Sequence, residues 1–422
     1  MGGGIAGLTA AVELTARGHE VTLLEAKGQL GGRASDGVHF LWGHFTETID
    51  LLKRLETNDQ LQQQRSLRLG FILSNGRPSF FQVPRRAIPF PFTTAVLRFG
   101  GLGLRDKFRI LALGYRLRRH LDNADLDQMT ASQWLTGQGQ PESLQKFWWN
   151  RLCQLMLYVP LEVCSARSFV FMLRTLLVSG GRTGLVFPQV DLSALMLKPA
   201  EEFIRSRGGH ILFNTPVSRL HFHGWEFKEI ELEGGRRLEA DILLLAPPVP
   251  VLRRLLPESI LYQDAFFGAL RHLQLTPVLN LHLWFDRDIT DEDLILFESD
   301  SMQHLVNRGK YSAVPGYVVL VWHGARAEMA LPGPQLITRS VQELQKLLPA
   351  AAVARLKHAS VVKDVDALLS SRVGVNRFRL PQKSPYHNLY LAGDWTDTGF
   401  FPSIESAVRS GKKAVELILN VK

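Results

Sequence analysis

The stretch that decides the fold is the first one, MGGGIAGLTA (residues 1–10). Gly2, Gly4 and Gly7 have the spacing G-x-G-x-x-G, which is typical of the turn between a buried β-strand and a helix that binds a dinucleotide at its N-terminus. The pattern predicts that helix directly after the turn, over residues 5–17, with a stop at Gly18. Only one residue precedes the turn, so the strand that normally leads into it is absent from this sequence.

Two segments that follow the helix support a nucleotide site. HEVTLLE (19–25) is predicted as a strand, and it ends at Glu25, twenty-one residues after Gly4. An acid there can accept hydrogen bonds from both ribose hydroxyls and repels a 2′-phosphate, which favours an FAD-like or NAD-like nucleotide. In GQLGGRAS (28–35), Gly32 allows close packing and Arg33 can reach a phosphate.

The segment near the C-terminus favours FAD over NAD. LYLAGDWTDTGFFPSIESAVRSG (389–411) places Asp394 after a buried strand and starts a second helix near Ser403. The acid can hold ribityl hydroxyls. The helix N-terminus can direct backbone N–H groups at the flavin edge where negative charge develops on reduction.

These segments resemble the FAD-dependent amine oxidase and desaturase superfamily. The middle of the chain is most similar to the hydroxysqualene dehydroxylases, in FWWNRLCQLMLYVPLEVCSA (147–166) and LHLWFDR (281–287). The resemblance implies an α/β fold with α+β insertions: a glutathione-reductase-like FAD-binding Rossmann domain, its first strand missing, with an inserted substrate domain. The implied activity is reductive dehydroxylation of hydroxysqualene to squalene, for hopanoid or related lipids, by hydride transfer from reduced flavin.

Other functions remain open. A carotenoid or phytoene desaturase would use the same cofactor and a similar isoprenoid lipid but would remove hydride. An amine oxidase is disfavoured, because residues 393–406 show no aromatic pairing typical of an amine cage. If the start is assigned a few codons late, the site is intact in the longer chain. If translation begins at Met1, we expect a truncated flavoprotein without activity, which retains FAD weakly or not at all and is poorly stable.

The candidate site residues follow from these motifs and from the resemblance. The candidate cofactor-binding residues are Gly2, Gly4, Ala6, Gly7, Glu25, Gly32, Arg33, Val217, Gly393, Asp394 and Ile404. His39 is the candidate catalytic group near the flavin, with a purely structural role as the alternative, and Asp36 is a weaker candidate. No metal site is predicted, because no Cys/His grouping has zinc spacing.

The chain departs from the resembled family at two places. Residues 35–39 are shorter than the family's Asp-Asn-Gly-Gln-His-like run, and only Gly37 and His39 match it well. Ser406 stands where the relatives usually have glycine in the closing helix. The first departure puts the residues beside the flavin in doubt, and the second is milder.

The predicted organisation alternates nucleotide-binding and substrate segments. FAD-binding parts are expected at 1–60, 191–250 and 376–422, a mostly helical substrate or membrane region at 61–190, and a substrate domain with a mixed sheet at 251–375. Such interleaving suits an enzyme with a large cofactor better than a simple nicotinamide dehydrogenase.

Composition narrows the partners and the compartment. With 45% hydrophobic and 21% charged residues the chain is globular, and no run reaches the length of a membrane span. Cys153 and Cys164 are expected to be buried thiols in a reducing cytoplasm.

Much of the net charge of +9 lies on a basic amphipathic helix predicted at 105–119. That helix either contacts the inner face of an anionic membrane or merely exposes a solvated charged face. No nucleic-acid module is present, and the electron donor stays open.

Overall fold

The computed structural model describes residues 1–34, 39–84, 91–117, 124–178, 184–312 and 314–420. Over these residues the fold is mixed α/β, as the sequence predicts. The helices are α1 Ile5–Thr15, α2 Thr46–Arg54, α3 Pro91–Arg98, α4 Leu104–Leu117, α5 Ala131–Gly137, α6 Glu142–Leu144, α7 Asn150–Leu157, α8 Ala166–Val178, α9 Lys198–Ser206, α10 Val249–Leu255, α11 Glu258–Gln263, α12 Ala265–Gly268, α13 Arg326–Ala330, α14 Gly333–Leu347, α15 Pro349–Val353 and α16 Ile404–Leu419.

The strands fall into one large sheet and several small ones. They are β1 Thr22–Leu24, β2 Leu41–Trp42, β3 Leu61–Gln63, β4 Arg68–Ile72, β5 Pro78–Gln82, β6 Leu185–Pro188, β7 His210–Leu212, β8 Val217–His223, β9 Glu226–Leu232, β10 Arg237–Glu239, β11 Leu243–Leu245, β12 Leu275–Phe285, β13 Leu294–Phe297, β14 His304–Asn307, β15 Tyr317–His323, β16 Leu356–Leu369 and β17 Leu389–Leu391.

Two parallel strand pairs lie in the part of the chain predicted to bind a nucleotide, and the first residues of the chain lie between them. β1 pairs with β7, and β11 pairs with β17. The Gly2 N–H donates to the Leu24 carbonyl at 2.8 Å, and the Ala246 N–H donates to the Met1 carbonyl at 2.9 Å. Met1 and Gly2 therefore bridge the two pairs, at the place where the leading strand of this motif runs.

The large sheet has seven strands in the order β16-β12-β15-β14-β13-β4-β5. Side chains alternate along each strand, so β15 has two apolar faces. Val319 and Val321 pack with the helical region, whereas Leu320 and Trp322 pack toward α14. The sheet thus separates the cofactor side of the molecule from an outer helical layer.

The prediction that residues 61–190 are mostly helical misses four strands, β3 to β6. β4 is the clearest case, since it pairs in parallel with β13, which lies more than two hundred residues later in the chain. A short segment with a central glycine, RLGFI, carries no period-2 signal of its own. Its strand conformation comes from distant pairing, which local sequence patterns do not report.

Three further local features follow from the residues present. Thr130 and Gln133 form both hydrogen bonds of the capping box at the start of α5. The aromatic KFWWN segment is core, as Trp148 is fully buried against Phe71 and Phe81. Cys153 and Cys164 are buried free thiols.

Candidate functional site

The glycine turn is shaped by contacts that exclude a side chain at two of its positions. Gly2 has φ +99°, and a Cβ at Gly7 would lie 2.0 Å from the Gly2 carbonyl oxygen. A Cβ at Gly4 would meet nothing within 4 Å, so this residue faces open space. Gly4 is also the N-cap of α1 and provides no side-chain cap. The start of α1 can therefore receive an anionic group directly on its backbone, with Ala6 in the first turn.

Glu25 lies at the carboxyl end of β1 and is buried. Its Oε2 accepts from the Gly3 N–H at 2.8 Å and its Oε1 from the Lys27 N–H at 2.8 Å. Each oxygen keeps acceptor capacity for a ligand hydroxyl. The Glu25 carbonyl accepts from the Thr215 N–H at 2.9 Å, and Val217 opens β8 two residues later. The structure thus brings Val217 to the same end of the site.

Arg33 joins the two ends of the candidate site. Gly32, with φ +57°, packs against Gly4, where a Cβ would lie 3.2 Å from the Gly4 Cα. Arg33 forms an ion pair with Asp394 Oδ1 and donates to the Ala367 carbonyl at 2.9 Å. The sequence assigned Arg33 to a phosphate, whereas here it contacts the acid expected to hold the ribityl chain. Asp394 Oδ2 is buried without a partner, which leaves an acceptor for a ligand hydroxyl.

Gly393 lets the backbone turn sharply before that acid. It has φ +150°, and a Cβ there would lie 2.3 Å from the indole nitrogen of Trp395. That nitrogen donates to the Pro247 carbonyl at 3.1 Å, which ties the turn to the segment after β11. Only glycine leaves room for this indole.

A buried arginine organises the start of α16. Ser403 caps the helix through the Ser406 N–H at 3.2 Å, and Ile404 is its half-buried first residue. Arg379 donates to the Phe400 and Asp394 carbonyls at 2.5 and 3.0 Å and to Ser406 Oγ at 3.2 Å. Burial lowers the pKa of Arg379 to about 10. Ser406, the departure noted in the sequence, is an acceptor in this network.

The side chain of His39 has a hydrogen-bond partner on the backbone. Its Nε2 lies 2.7 Å from the Ala34 carbonyl oxygen. Burial holds its pKa below the ordinary value, against the Ala34 hydrogen bond and with a contribution from Arg308. This contact fits the structural alternative, and a catalytic role for His39 stays a prediction. Asp36 and Gly37 lie outside the described residues.

Sequence reasoning missed a second histidine close by. His44 is 8% exposed, and neither of its ring nitrogens has a hydrogen-bond partner. It stacks on Trp42 at 5.8 Å and meets Phe45 and Phe400 at 5.3 and 6.2 Å between ring centroids. Burial, with a contribution from Arg409, lowers its pKa to about 4. Nothing in the local pattern FLWGHF distinguishes such a residue from a surface histidine.

Comparison with known proteins identifies the family. The sequence profile described as flavin containing amine oxidoreductase matches residues 5–419. The chain belongs to this family. Its members are FAD-dependent oxidoreductases, and the residues present fit FAD, since the glycine turn, Glu25 and the unpaired Asp394 oxygen provide pyrophosphate, ribose and ribityl partners. FAD is the cofactor of this amine oxidoreductase family protein.

The most similar curated relatives include carotenoid desaturases. The chain is 26% identical to 15-cis-phytoene desaturase of Synechococcus elongatus, over 99% of this chain and 94% of the relative. It is 24% identical to zeta-carotene desaturase of Synechocystis sp., over 99% of this chain and 96% of that one.

Solved structures agree on the fold. A triple mutant of putrescine oxidase superposes with a TM-score of 0.76 at 18% identity, covering 100% of this chain and 98% of that one. An oxidoreductase from Methanosarcina mazei gives a TM-score of 0.75 at 16% identity, covering 98% of both chains. In the part of the chain that the structure describes, no helix is long and apolar enough to cross a bilayer.

Proposed function

We propose that this protein is a FAD-dependent desaturase of a long isoprenoid of the carotenoid class. The observation that carries the proposal is the similarity to phytoene and zeta-carotene desaturases along 99% of the chain. The reaction removes two hydrogens from adjacent saturated carbons and adds one double bond to a polyene. FAD supplies the two-electron acceptor that takes up the hydride.

The nucleotide half of FAD would lie on the start of α1. The backbone N–H groups from Gly4 to Gly7 would hold the pyrophosphate, and Glu25 would accept hydrogen bonds from the ribose hydroxyls. Val217, near the Glu25 end, would contact the adenine side.

The flavin half would lie against α16. Asp394 would accept from ribityl hydroxyls through its unpaired Oδ2, and Arg33 would balance charge between this acid and the pyrophosphate. Gly393 and the first backbone N–H groups of α16, from Ile404, would contact the flavin itself.

Aromatic side chains that pack around Phe40, the neighbour of His39, would form one side of a hydrocarbon site. Phe187 and Tyr311 stack with parallel planes at 4.4 Å between centroids, and Phe40 packs on Phe187 at 5.9 Å. A hydrocarbon substrate offers no hydrogen bonds, so its binding depends on removing apolar surface from water. Excluding water also protects any cationic carbon from hydration.

The same protein architecture could run the opposite reaction. Hydroxysqualene dehydroxylation needs hydride donation to the carbon that loses the hydroxyl, and it stays an alternative on the resemblance of residues 147–166. The desaturase relatives reported above favour the oxidative direction.

We propose that α4 holds the protein on the membrane that contains its substrate. Leu104, Phe108 and Tyr115 are 71%, 64% and 55% exposed on one face, and Arg105 and Arg109 lie beside them. The opposite face, with Ile110 and Leu113, is buried. An apolar stripe bordered by arginines is the composition expected at an anionic bilayer interface. A cytoplasmic location with peripheral contact would follow.

A single charged substitution on the exposed face of α4 tests membrane binding without disturbing the fold. Phe108→Glu should abolish co-flotation with anionic phospholipid vesicles while leaving thermal unfolding unchanged, because the side chain is exposed. Tyr262→Glu, on an exposed tyrosine of α11, is the control. Equal flotation of both variants and the parent protein would contradict the α4 assignment.

Product analysis tests the proposed function. FAD-loaded protein is incubated with 15-cis-phytoene in vesicles and an artificial electron acceptor, and separately with hydroxysqualene and a reductant. Desaturation predicts polyenes with longer conjugation from phytoene. Squalene from hydroxysqualene, with phytoene unchanged, would overturn the proposal in favour of the alternative.

A further inference from the structure

Tyr158 occupies a backbone conformation that tyrosine rarely adopts. It follows the last residue of α7 with φ +63° and ψ +16°, a left-handed position that is usually taken by glycine or asparagine. Its carbonyl accepts from Thr276 Oγ1 at 3.4 Å, which fixes the backbone against the start of β12. Leu157 and Val159 on either side are buried, whereas Tyr158 is half-buried. A large side chain at a strained and fixed position indicates a role for that side chain.

Two histidines of the seven-stranded sheet lie behind the Tyr158 ring. His323 meets it edge-on at 4.7 Å between centroids with an interplanar angle of 71°, and His304 follows at 5.1 Å from His323. Gln303 clamps the His323 backbone with hydrogen bonds of 2.8 and 3.0 Å. The Nδ1 atoms of both histidines are buried and unpaired. The edge-to-face contact sets the plane of the tyrosine ring.

The two histidines beside this ring carry no charge that would oppose a cation at it. Burial lowers the pKa of His323 to about 3 and that of His304 well below its ordinary value, with Arg151 acting in the same direction on His304. Both imidazoles are therefore neutral. Burial and the negative charge of Asp394 raise the pKa of Tyr158 to about 12. Thr276, which holds the Tyr158 carbonyl, pairs with Leu368 of β16. The next residue, Ala367, accepts from Arg33 at 2.9 Å, so these contacts connect Tyr158 to the Arg33–Asp394 pair.

We infer that Tyr158 is a substrate-contacting catalytic residue whose ring stabilises the positive charge that develops on the isoprenoid, and that His323 and His304 position this ring. The inference rests on the proposed function. Hydride transfer from the isoprenoid to FAD, the two-electron acceptor named above, would leave a cationic carbon. The electron pair of a C–H bond on the neighbouring carbon would then form the double bond, and the released proton would pass in the end to solvent. An aromatic face stabilises a desolvated cation, and a charged imidazole behind it would oppose this.

Binding of a positively charged substrate analogue tests whether the Tyr158 ring stabilises a cation, and it needs no turnover. The probe is a phytoene analogue in which one saturated chain carbon is replaced by a protonated tertiary amine, and its neutral all-carbon isostere is the reference. Binding of both to FAD-loaded protein is followed by the change in flavin absorbance. We expect Tyr158→Phe to keep the preference for the ammonium probe and Tyr158→Leu to reduce it about tenfold. Tyr262→Leu, which removes an exposed tyrosine that packs on Arg271, is the matched control.

A graded series of fluorinated side chains at position 158 distinguishes a weaker aromatic face from a folding defect. Mono-, di- and trifluorinated phenylalanine at position 158 keep the ring shape but weaken its negative face step by step. A stepwise fall in the ammonium preference, with unchanged binding of the neutral isostere and unchanged FAD content, supports the inference. A flat series overturns it while leaving the proposed function intact. If neither probe binds the parent protein, the proposed function fails and this inference fails with it.

Discussion

The starts of α1 and α16, which are proposed to hold the two halves of the cofactor, are built in opposite ways. At α1 the N-cap is Gly4, without a side-chain cap, and the surface presented is backbone. At α16 the cap is Ser403, and Arg379 fixes the preceding loop through several hydrogen bonds. The two helices also pack closely, since a Cβ at Gly411 of α16 would lie 2.5 Å from the Ala6 carbonyl oxygen.

The difference agrees with what each helix start is proposed to bind. A pyrophosphate needs only N–H groups and a close backbone, so glycines suffice and any side chain would obstruct it. A flavin ring and a ribityl chain need a shaped surface and a placed acid, which requires side chains held by second contacts. Substitutions at the first helix should therefore act through steric exclusion, and those at the second through lost hydrogen bonds.

The largest effect is expected at the bare backbone of α1. Gly7→Ala places a methyl group 2.0 Å from the Gly2 carbonyl, so the turn must open, at about 3 kcal/mol of unfolding free energy. FAD retention, measured by visible absorbance after gel filtration, should be lost. Gly137→Ala, where a Cβ meets nothing within 4 Å, should cost nothing. A yellow Gly7→Ala protein would show that the turn does not hold the cofactor.

The second-largest effect is a loss of stability, expected when Arg379, which holds the loop before α16, is substituted. Arg379→Ala leaves the Phe400 and Asp394 carbonyls without their buried donor, so we expect a loss of about 3 kcal/mol in urea unfolding. Arg377→Ala, two residues away and exposed, is the matched control. If both variants unfold at the same urea concentration, the helix start does not depend on this network.

A smaller effect is expected at the buried, unpaired His44, whose ring meets Phe400 in the loop before α16. The pKa of His44 is about 4 in the folded protein and 6.5 ordinarily, so the unfolded chain binds the extra proton as the pH falls below 6.5. Stability is therefore lost with acid. His44→Phe should add about 2 kcal/mol at pH 5 and almost nothing at pH 8. An equal change at both pH values would contradict a neutral buried imidazole.

The smallest effect concerns the acid before α16. Asp394→Asn removes the charge that pairs with Arg33 but keeps the shape, so FAD should bind about tenfold more weakly. Asp397→Asn, exposed three residues later, is the control. The measurement is titration of apoprotein with FAD by fluorescence quenching. Unchanged affinity in Asp394→Asn would remove this acid from the cofactor site.

The same contrast explains what the sequence could predict. Local sequence predicts three features of the first region, because glycine spacing and the periodicity of apolar residues determine them. These features are the turn before α1, the strand β1 and the position of Glu25. The partners of Asp394 are not, because Arg33 is 361 positions away in the chain and Arg379 lies in an irregular segment. β4 and the His323–Tyr158 contact depend on chain segments that meet only in the folded sheet. Local patterns therefore predicted the cofactor class and the starts of both helices, but not the side chains that hold Asp394 and the start of α16 in place.

Anaerobic mixing of FAD-loaded protein with 15-cis-phytoene in vesicles tests the central claim most directly. Flavin absorbance and the polyene spectrum are followed together in the same sample. The account predicts bleaching of the flavin band in step with the appearance of a more conjugated product. A flavin that stays oxidised with phytoene, while the same preparation after reduction converts hydroxysqualene to squalene, would contradict it.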